Sequence, residues 1–168
     1  MKTRIHLLAG LLLASGLVPA GKAADEGLVT YQMLMPETAI ELAQVTLNKC
    51  RAKGFQIAVA VVDRMGTTQV ILRDRFAGPH TPDTDRRKAW TAVSFRTDTL
   101  SMSDVTKAGA PQAGARFIPQ SMMIGGGVPV SAHGTIVGGI GVSGTPNGQE
   151  DHACAEAGIE AITEKLEL

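Results

Sequence analysis

The sequence lacks the short motifs that mark common hydrolase, metalloprotease, redox and nucleotide-binding sites. It contains no GxSxG, HExxH or CxxC, and its glycines fit neither GxxxxGK[ST] nor a GxGxxG that follows a strand and opens a helix. Its two cysteines do not have the spacing of a metal pair. A classical hydrolase or dehydrogenase is therefore unsupported, and whether the protein is an enzyme stays open.

The sequence also has no apolar run long enough to embed it in a membrane. Lys2 and Arg4 precede an apolar run over residues 7–18, whereas a membrane span needs about 20 apolar residues. Gly21 and Ala23 are small residues at the two positions that a signal peptidase recognises. Residues 1–23 are therefore predicted to be a cleaved signal peptide, the rival interpretation being a membrane anchor. No cysteine follows the run and no twin arginine precedes it, so we expect a periplasmic or secreted protein that is neither a lipoprotein nor a Tat substrate.

An excess of positive charge is missing as well. The whole chain has 16 Lys and Arg and 16 Asp and Glu, and without residues 1–23 the basic count falls to 13, a net charge of −3. Arg86, Arg87 and Lys88 are consecutive, but on a helix their side chains point in different directions. Nucleic acid is therefore a poor partner for this protein.

Residues 24–168 are predicted to form one domain, because no linker or repeat interrupts them. Hydrophobic periodicity, capping residues and turn residues predict the following order: a helix over 36–53, strands over 55–62 and 67–73, a helix capped by Asp83 or Thr84, a short helix from Asp98 or Thr99, strands over 121–124, 128–131 and 135–142, and a helix over 149–165. This order indicates an α+β fold with a mainly antiparallel sheet.

Glycine is concentrated in one segment. Eight of the twenty residues from Gly125 to Gly144 are glycine, and the segment leads directly into the last helix. Such density indicates tight turns and a helix cap, or backbone that lies close to another backbone or a ligand. The turn before the last helix exposes N–H groups at the positive end of that helix.

An ordered series of motifs along the chain resembles the GlcG/HbpS family of haem-binding proteins, which includes the C-terminal domain of PduO-type proteins. The matching strings are Ala60-Val61-Val62-Asp63-Arg64, Arg73, Arg87-Lys88-Ala89-Trp90-Thr91-Ala92, Gly125-Gly126-Gly127-Val128-Pro129-Val130, and residues 138–144 followed by Asp151. The resemblance runs from about residue 36 to the C-terminus. It implies a profilin-like domain of about five strands with N- and C-terminal helices packed on the sheet, assembly into a homo-oligomer between a dimer and an octamer, and binding of haem or a related tetrapyrrole.

The resemblance also bears on the cysteines. If the first and last helices lie antiparallel on one face of the sheet, as the family fold implies, Cys50 and Cys154 approach each other. An oxidising compartment permits a disulfide between them. The alternative is a pair of buried thiols that act as small hydrophobic side chains.

A bound tetrapyrrole needs an axial donor to iron and cations for its carboxylates. His80 and His133 are the preferred iron ligands because both lie in predicted loops near the glycine-rich segment. Arg73 and Lys88 fall on family motif positions and are candidate partners of the propionates. Gly125, Gly126 and Gly127 are candidates for the surface beneath the ring. The ordinary alternatives are solvated histidines, surface ion pairs or subunit contacts, and plain turns.

These observations favour an exported haem-binding protein that sequesters, delivers or, with peroxide, degrades haem. A second hypothesis is a small-molecule enzyme or accessory subunit of a catabolic pathway that uses no haem. A third is a non-catalytic partner of a membrane sensor.

Overall fold

The computed structural model describes residues 27–167, and residues 31–167 form one compact unit. The predicted signal peptide lies outside the described residues. The elements are α1 (Pro36–Ala52), β1 (Ala58–Asp63), β2 (Thr68–Arg73), α2 (Thr81–Phe95), α3 (Thr99–Val105), a 3₁₀ turn (Ala113–Phe117), β3 (Gly127–Ala132), β4 (Thr135–Ser143) and α4 (Gly148–Leu166). No helix within residues 27–167 is long and apolar enough to cross a membrane.

The sheet is antiparallel throughout, with strand order β2-β1-β4-β3. Strand β1 lies between β2 and β4, and its residues from Ala58 to Val62 are all fully buried. Alternate side chains of β1 point to opposite faces. Val59 and Val61 join the main core under α1 and α4, whereas Val62 packs with Ala89 and Val93 of α2. Helices therefore cover both faces of the sheet, with α1 and α4 on one face and α2 on the other.

Glycine in β4 lets α2 approach the sheet closely. A Cβ atom at Gly141 would collide with the carbonyl oxygen of Asp85 in α2, and one at Gly139 would lie 2.7 Å from Val93 Cγ1. Backbone therefore packs on backbone at this position, as the density of glycine indicated. This contact fixes the depth at which the α2 side chains enter the protein.

The α+β prediction with terminal helices on an antiparallel sheet is confirmed, but the described residues form four strands rather than about five. The predicted strand over 121–124 is wrong. Side chains of α2 form hydrogen bonds with the backbone of this segment. The guanidinium of Arg87 donates to the carbonyl oxygens of Gln120 and Ser121, and Thr91 Oγ1 accepts from Met122 N–H. The segment is tied to a helix and does not pair with the sheet.

Three of the four helices in residues 27–167 begin within one residue of the predicted start, and α1 begins at Pro36 as predicted. Asp98 caps α3 by accepting from Ser101 N–H at 2.8 Å, as predicted, and α4 begins after Asn147, within one residue of the predicted start. Helix α2 begins at Thr81, earlier than the predicted caps at Asp83 or Thr84, because Pro82 occupies its first turn. Proline suits that position because its missing N–H would have had no partner there.

Cys50 in α1 and Cys154 in α4 are fully buried, and the structure pairs them as a disulfide with their Cα atoms 5.9 Å apart. That separation lies within the usual range for disulfides. The bond would close a loop across 104 residues of sequence and connect the two terminal helices.

We expect the oxidised protein to be more stable than the variant Cys50→Ala/Cys154→Ala by up to about 4 to 5 kcal/mol, because the disulfide restricts the unfolded chain. Urea unfolding measures the difference, and the wild-type protein in reducing agent is the matched control. Two alkylatable thiols in the unfolded, unreduced protein would contradict the pairing.

Candidate functional site

A cleft of about 460 Å³ is bordered by the first turns of α2 and α4. We call it the α2–α4 cleft. Its walls are the loop before α2, the segment before β3 and the loop between β4 and α4, and its lining residues are Gly78, His80, Thr81, Thr84, Lys88, Met122, Ile124, Ser143, Gly144, Thr145, Pro146, Asn147, Gly148 and Asp151. The volume falls within the range of small-molecule sites.

A buried ion pair forms the base of this cleft. Lys88 Nζ lies 2.9 Å from Asp151 Oδ2 and donates to the Val142 carbonyl oxygen at 2.8 Å, with only 1% of the lysine side chain exposed. The other carboxylate oxygen of Asp151 accepts from Thr145 N–H at 3.1 Å. The pair therefore joins α2, the end of β4, the following loop and α4 at one point.

Glycine at position 126 makes room for this pair. Its φ of 117° suits glycine, and a Cβ atom there would lie 3.0 Å from Lys88 Nζ and would collide with the Val142 carbonyl oxygen. Gly125 is also buried, against Gly148, and Gly127 is buried against Lys88 and Thr99. The three glycines thus pack in the protein interior around the ion pair.

A second carboxyl group lies buried beside the ion pair. Asp85 is fully buried, and neither of its carboxylate oxygens has a hydrogen-bond partner among the residues that the structure describes. Burial raises the pKa of Asp85 well above its usual value, and the nearby Ser143 hydroxyl and Lys88 ammonium oppose this rise only in part. Burial thus favours the protonated form of Asp85, which lies next to an ion pair of balanced charge.

His80 stands at the edge of the cleft. It is exposed, and its imidazole has no hydrogen bond or ion pair with any residue from 27 to 167. The ring lies over Gly78, where a Cβ atom would come within 2.6 Å of His80 Cε1. Met122, the other side chain of the cleft with an iron-ligating atom, lines the same cavity.

The other histidines of the described chain lie elsewhere. His133 is in the β3–β4 turn with a φ of 49° and lines a separate depression of about 250 Å³. His152 is partly buried in the first turns of α4, with Nε2 3.3 Å from Glu156 Oε1. The structure thus separates the two predicted iron ligands, His80 and His133, and brings only His80 to the α2–α4 cleft.

The predicted surface cations have structural partners. Lys88 is not a surface residue, because its ammonium is held inside the protein by Asp151. Arg73 is exposed, but Nε and Nη2 both donate to the Ala77 carbonyl oxygen, at 3.0 and 2.6 Å. Arg73 therefore braces the loop that carries His80.

Two helix N-terminal ends border the cleft. Thr81 and Thr84 lie in the first turn of α2, and Gly148 and Asp151 lie in the first turn of α4. The N-terminal end of each helix carries a partial positive charge and N–H groups without helical partners. This surface suits a carboxylate. Within residues 27–167, no group of three His, Cys, Asp or Glu side chains is placed to hold a metal ion.

Sequence analysis missed Asp85, although a signal was present. Asp85, Lys88, Ala89 and Ala92 have the spacing of one helix face, and all four are buried. Two charged residues on an apolar helix face indicate a buried ionic site, but the partner Asp151 lies 63 residues from Lys88 in sequence. Only the fold shows that the two meet.

The four-stranded antiparallel sheet, its two helical layers and the cleft at the helix N-termini define a profilin-like α+β domain with a ligand-sized site. Residues 34–160 match the family model described as haem degrading protein HbpS-like. The chain belongs to that family, as its motifs indicated.

Solved structures and a curated sequence agree with this assignment. A double mutant of Streptomyces reticuli HbpS is 35% identical with a TM-score of 0.76, covering 88% of this chain and 98% of that one. The PduOC–haem complex is 28% identical with a TM-score of 0.71, covering 77% and 95%. The corrinoid adenosyltransferase PduO of Salmonella typhimurium is 31% identical over 124 residues, 73% of this chain. The matched region spans only 37% of that relative's length.

Replacing Lys88 by methionine should destabilise the protein by about 3 to 5 kcal/mol, because Asp151 would remain charged, buried and without its partner. The double variant Lys88→Met/Asp151→Asn should recover much of this loss, since asparagine removes the charge and keeps an oxygen for Thr145 N–H. Urea unfolding measures both. A double variant no more stable than the single one would contradict the role assigned to the ion pair.

Asp85 should make the protein less stable as pH rises. Because the folded state holds the Asp85 proton more tightly than the unfolded chain does, the free energy of unfolding should fall from about pH 4, near the ordinary carboxyl pKa, up to the raised pKa of the folded state. The variant Asp85→Asn should lose this part of the pH dependence and be more stable at neutral pH. Denaturant unfolding at several pH values tests this, and an unchanged profile would contradict it.

Proposed function

We propose that this protein is exported and binds haem or a related tetrapyrrole in the α2–α4 cleft, with His80 as the axial donor to iron. The observation that carries the proposal is the unpartnered imidazole of His80 at the edge of a cleft of about 460 Å³. Membership of the HbpS-like family and likeness to the PduOC–haem complex support the choice of ligand.

The donor set of the cleft suits haem. An imidazole nitrogen is the commonest protein ligand of haem iron, and the thioether of Met122 is a second known donor type in the same cavity. Ile124, which is 47% exposed, and Pro146 supply apolar surface for a flat ring. When bound, haem would supply a redox-active iron, held by the imidazole of His80.

His80 is a better candidate than His133 for two reasons. The cleft beside His80 is nearly twice as large as the depression beside His133, about 460 against 250 Å³. The His80 cleft also adjoins the N-terminal ends of α2 and α4, which favour the negative charge of propionates. In this proposal the helix ends take the role that the sequence suggested for Arg73 and Lys88.

The chain's own residues would keep the imidazole in position. Arg73 holds the Ala77 carbonyl oxygen and so braces the loop before His80, and Thr81 Oγ1 donates to the Gly78 carbonyl oxygen at 2.8 Å. The absence of a side chain at Gly78 leaves the space that the ring occupies. These contacts hold the backbone of the loop that carries His80 before a ligand arrives, which lowers the entropy cost of binding.

Export is part of the proposal and is supported by the pattern of residues 2–23 and by a cysteine pair suited to an oxidising compartment. A homo-oligomer is proposed too, because several large apolar side chains are exposed, namely Phe76, Phe117, Ile118 and Ile124. Sequestration, delivery and peroxide-linked breakdown of haem all begin with the binding of haem in the α2–α4 cleft. Decay of the bound haem band with peroxide would distinguish breakdown from the other two.

Hemin titration of the purified protein should give a saturable, shifted Soret band at roughly micromolar hemin or below. His80→Ala should weaken binding about tenfold or more or change the band, whereas the matched control His133→Ala should bind as the wild type does. Gly78→Ala should alter the band with little loss of stability, because the added methyl group displaces only the flexible imidazole.

Retention of the wild-type band by His80→Ala together with its loss in His133→Ala would move the site to the smaller depression. Weak, non-saturating absorbance in every protein would contradict haem binding and favour the small-molecule enzyme hypothesis.

A further inference from the structure

A second cleft of about 520 Å³ lies at the other end of α2. We call it the arginine cleft, and its lining residues are Arg64, Met65, Val93, Ser94, Arg96, Gly134, Thr135 and Ile136. Helix α2 has 15 residues, so its two ends are roughly 22 Å apart. The arginine cleft is therefore a separate site from the α2–α4 cleft.

Two guanidinium groups of this cleft are free of internal partners. Neither Arg64 nor Arg96 makes a side-chain hydrogen bond or ion pair with any residue between 27 and 167, and Arg64 only stacks on the Tyr31 ring at 4.7 Å. Most other arginines in that range are bonded to the protein, namely Arg51, Arg73, Arg86, Arg87 and Arg116. The arginine cleft thus gathers two guanidinium groups with their donors unused.

The backbone at Arg96 adds a second observation. Arg96 caps the C-terminal end of α2 with a φ of 56° and a ψ of 34°, the left-handed conformation that normally favours glycine at this position. An arginine near a helix C-terminus can hydrogen-bond the last carbonyl oxygens, but the Arg96 side chain makes no such bond. A residue that holds a strained backbone conformation and whose guanidinium group makes no hydrogen bond or ion pair with residues 27–167 is a candidate for binding a ligand.

The floor of the cleft indicates the kind of ligand. Val93 and the half-buried Ile136 belong to the small core cluster beneath α2, and Met65 is 61% exposed beside them. Ser94 and Thr135 add hydroxyl groups. Guanidinium groups bind carboxylates through paired N–H donors, and the apolar floor suits a hydrocarbon body.

We propose that the arginine cleft is a second binding site, which takes an organic carboxylate with an apolar body. Arg64 and Arg96 bind the carboxylate, and Met65, Val93 and Ile136 contact the hydrocarbon part.

The single tryptophan of the chain provides a signal for the test. Trp90 packs against Gly66, in the turn that carries Arg64 and Met65, with the position of a Gly66 Cβ atom only 2.7 Å from Trp90 Cδ1. Octanoate, which does not absorb in the tryptophan range, should change Trp90 fluorescence saturably. Octanol and acetate should each bind at least tenfold more weakly, because octanol lacks the charge and acetate lacks the apolar chain.

Variants of Arg96 and Arg64 test whether the change in Trp90 fluorescence comes from binding in the arginine cleft. Arg96→Gly should weaken octanoate binding at least tenfold and also raise the urea midpoint, since glycine relieves the left-handed backbone; a binding loss from misfolding would lower that midpoint. Arg64→Gln should weaken binding similarly. Arg75→Gln is the matched control, because Arg75 stacks on Phe76 outside the cleft, and it should bind octanoate as the wild type does. Absence of a saturable response, equal binding of octanol, or unchanged binding by both Arg96→Gly and Arg64→Gln would overturn the proposal.

Discussion

The buried ion pair between Lys88 and Asp151 is the constraint on which the arrangement of this domain depends. It connects α2, which covers one face of the sheet, to α4, which covers the other, and its third partner is the Val142 carbonyl oxygen near the end of β4. Taking two charges out of water is costly, so the surrounding backbone must supply compensating contacts. Glycine at position 126 makes the necessary space, and the N-terminal parts of both helices border the same cleft beyond the end of β4.

This arrangement gives the two ends of α2 different chemistry. At its N-terminal end, helix dipoles and an unpartnered imidazole border the α2–α4 cleft. At its C-terminal end, Arg64 and Arg96 flank an apolar floor. Between them, Asp85 lies fully buried beside the ion pair, and burial raises the pKa of its carboxyl group well above the usual value. Helix α2, which packs closely on the glycines of β4 and is tied to α4 by the ion pair, thus borders both candidate sites.

Local signals predicted most of the fold, because helix caps, turn glycines and hydrophobic periodicity act over a few residues. They could not predict that residues 121–124 bond to side chains of α2 and not to the sheet. The site was less predictable for the same reason. Lys88 and Asp151 are 63 residues apart in sequence, and a charged residue is predicted to be exposed unless a partner for it is known. Nothing in the sequence was a reason to prefer either His80 or His133 as the iron ligand, and only the fold shows that they lie at different cavities.

The central claim is that the α2–α4 cleft, and not the depression beside His133, binds the tetrapyrrole. Nuclear magnetic resonance of ¹⁵N-labelled protein with added hemin tests it most directly, because the paramagnetic iron broadens nearby amide signals. The account predicts that broadening centres on the amides of His80, Thr145 and Asn147 and spares those of residues 132–137. Broadening centred on residues 132–137, with the cleft amides unchanged, would contradict it.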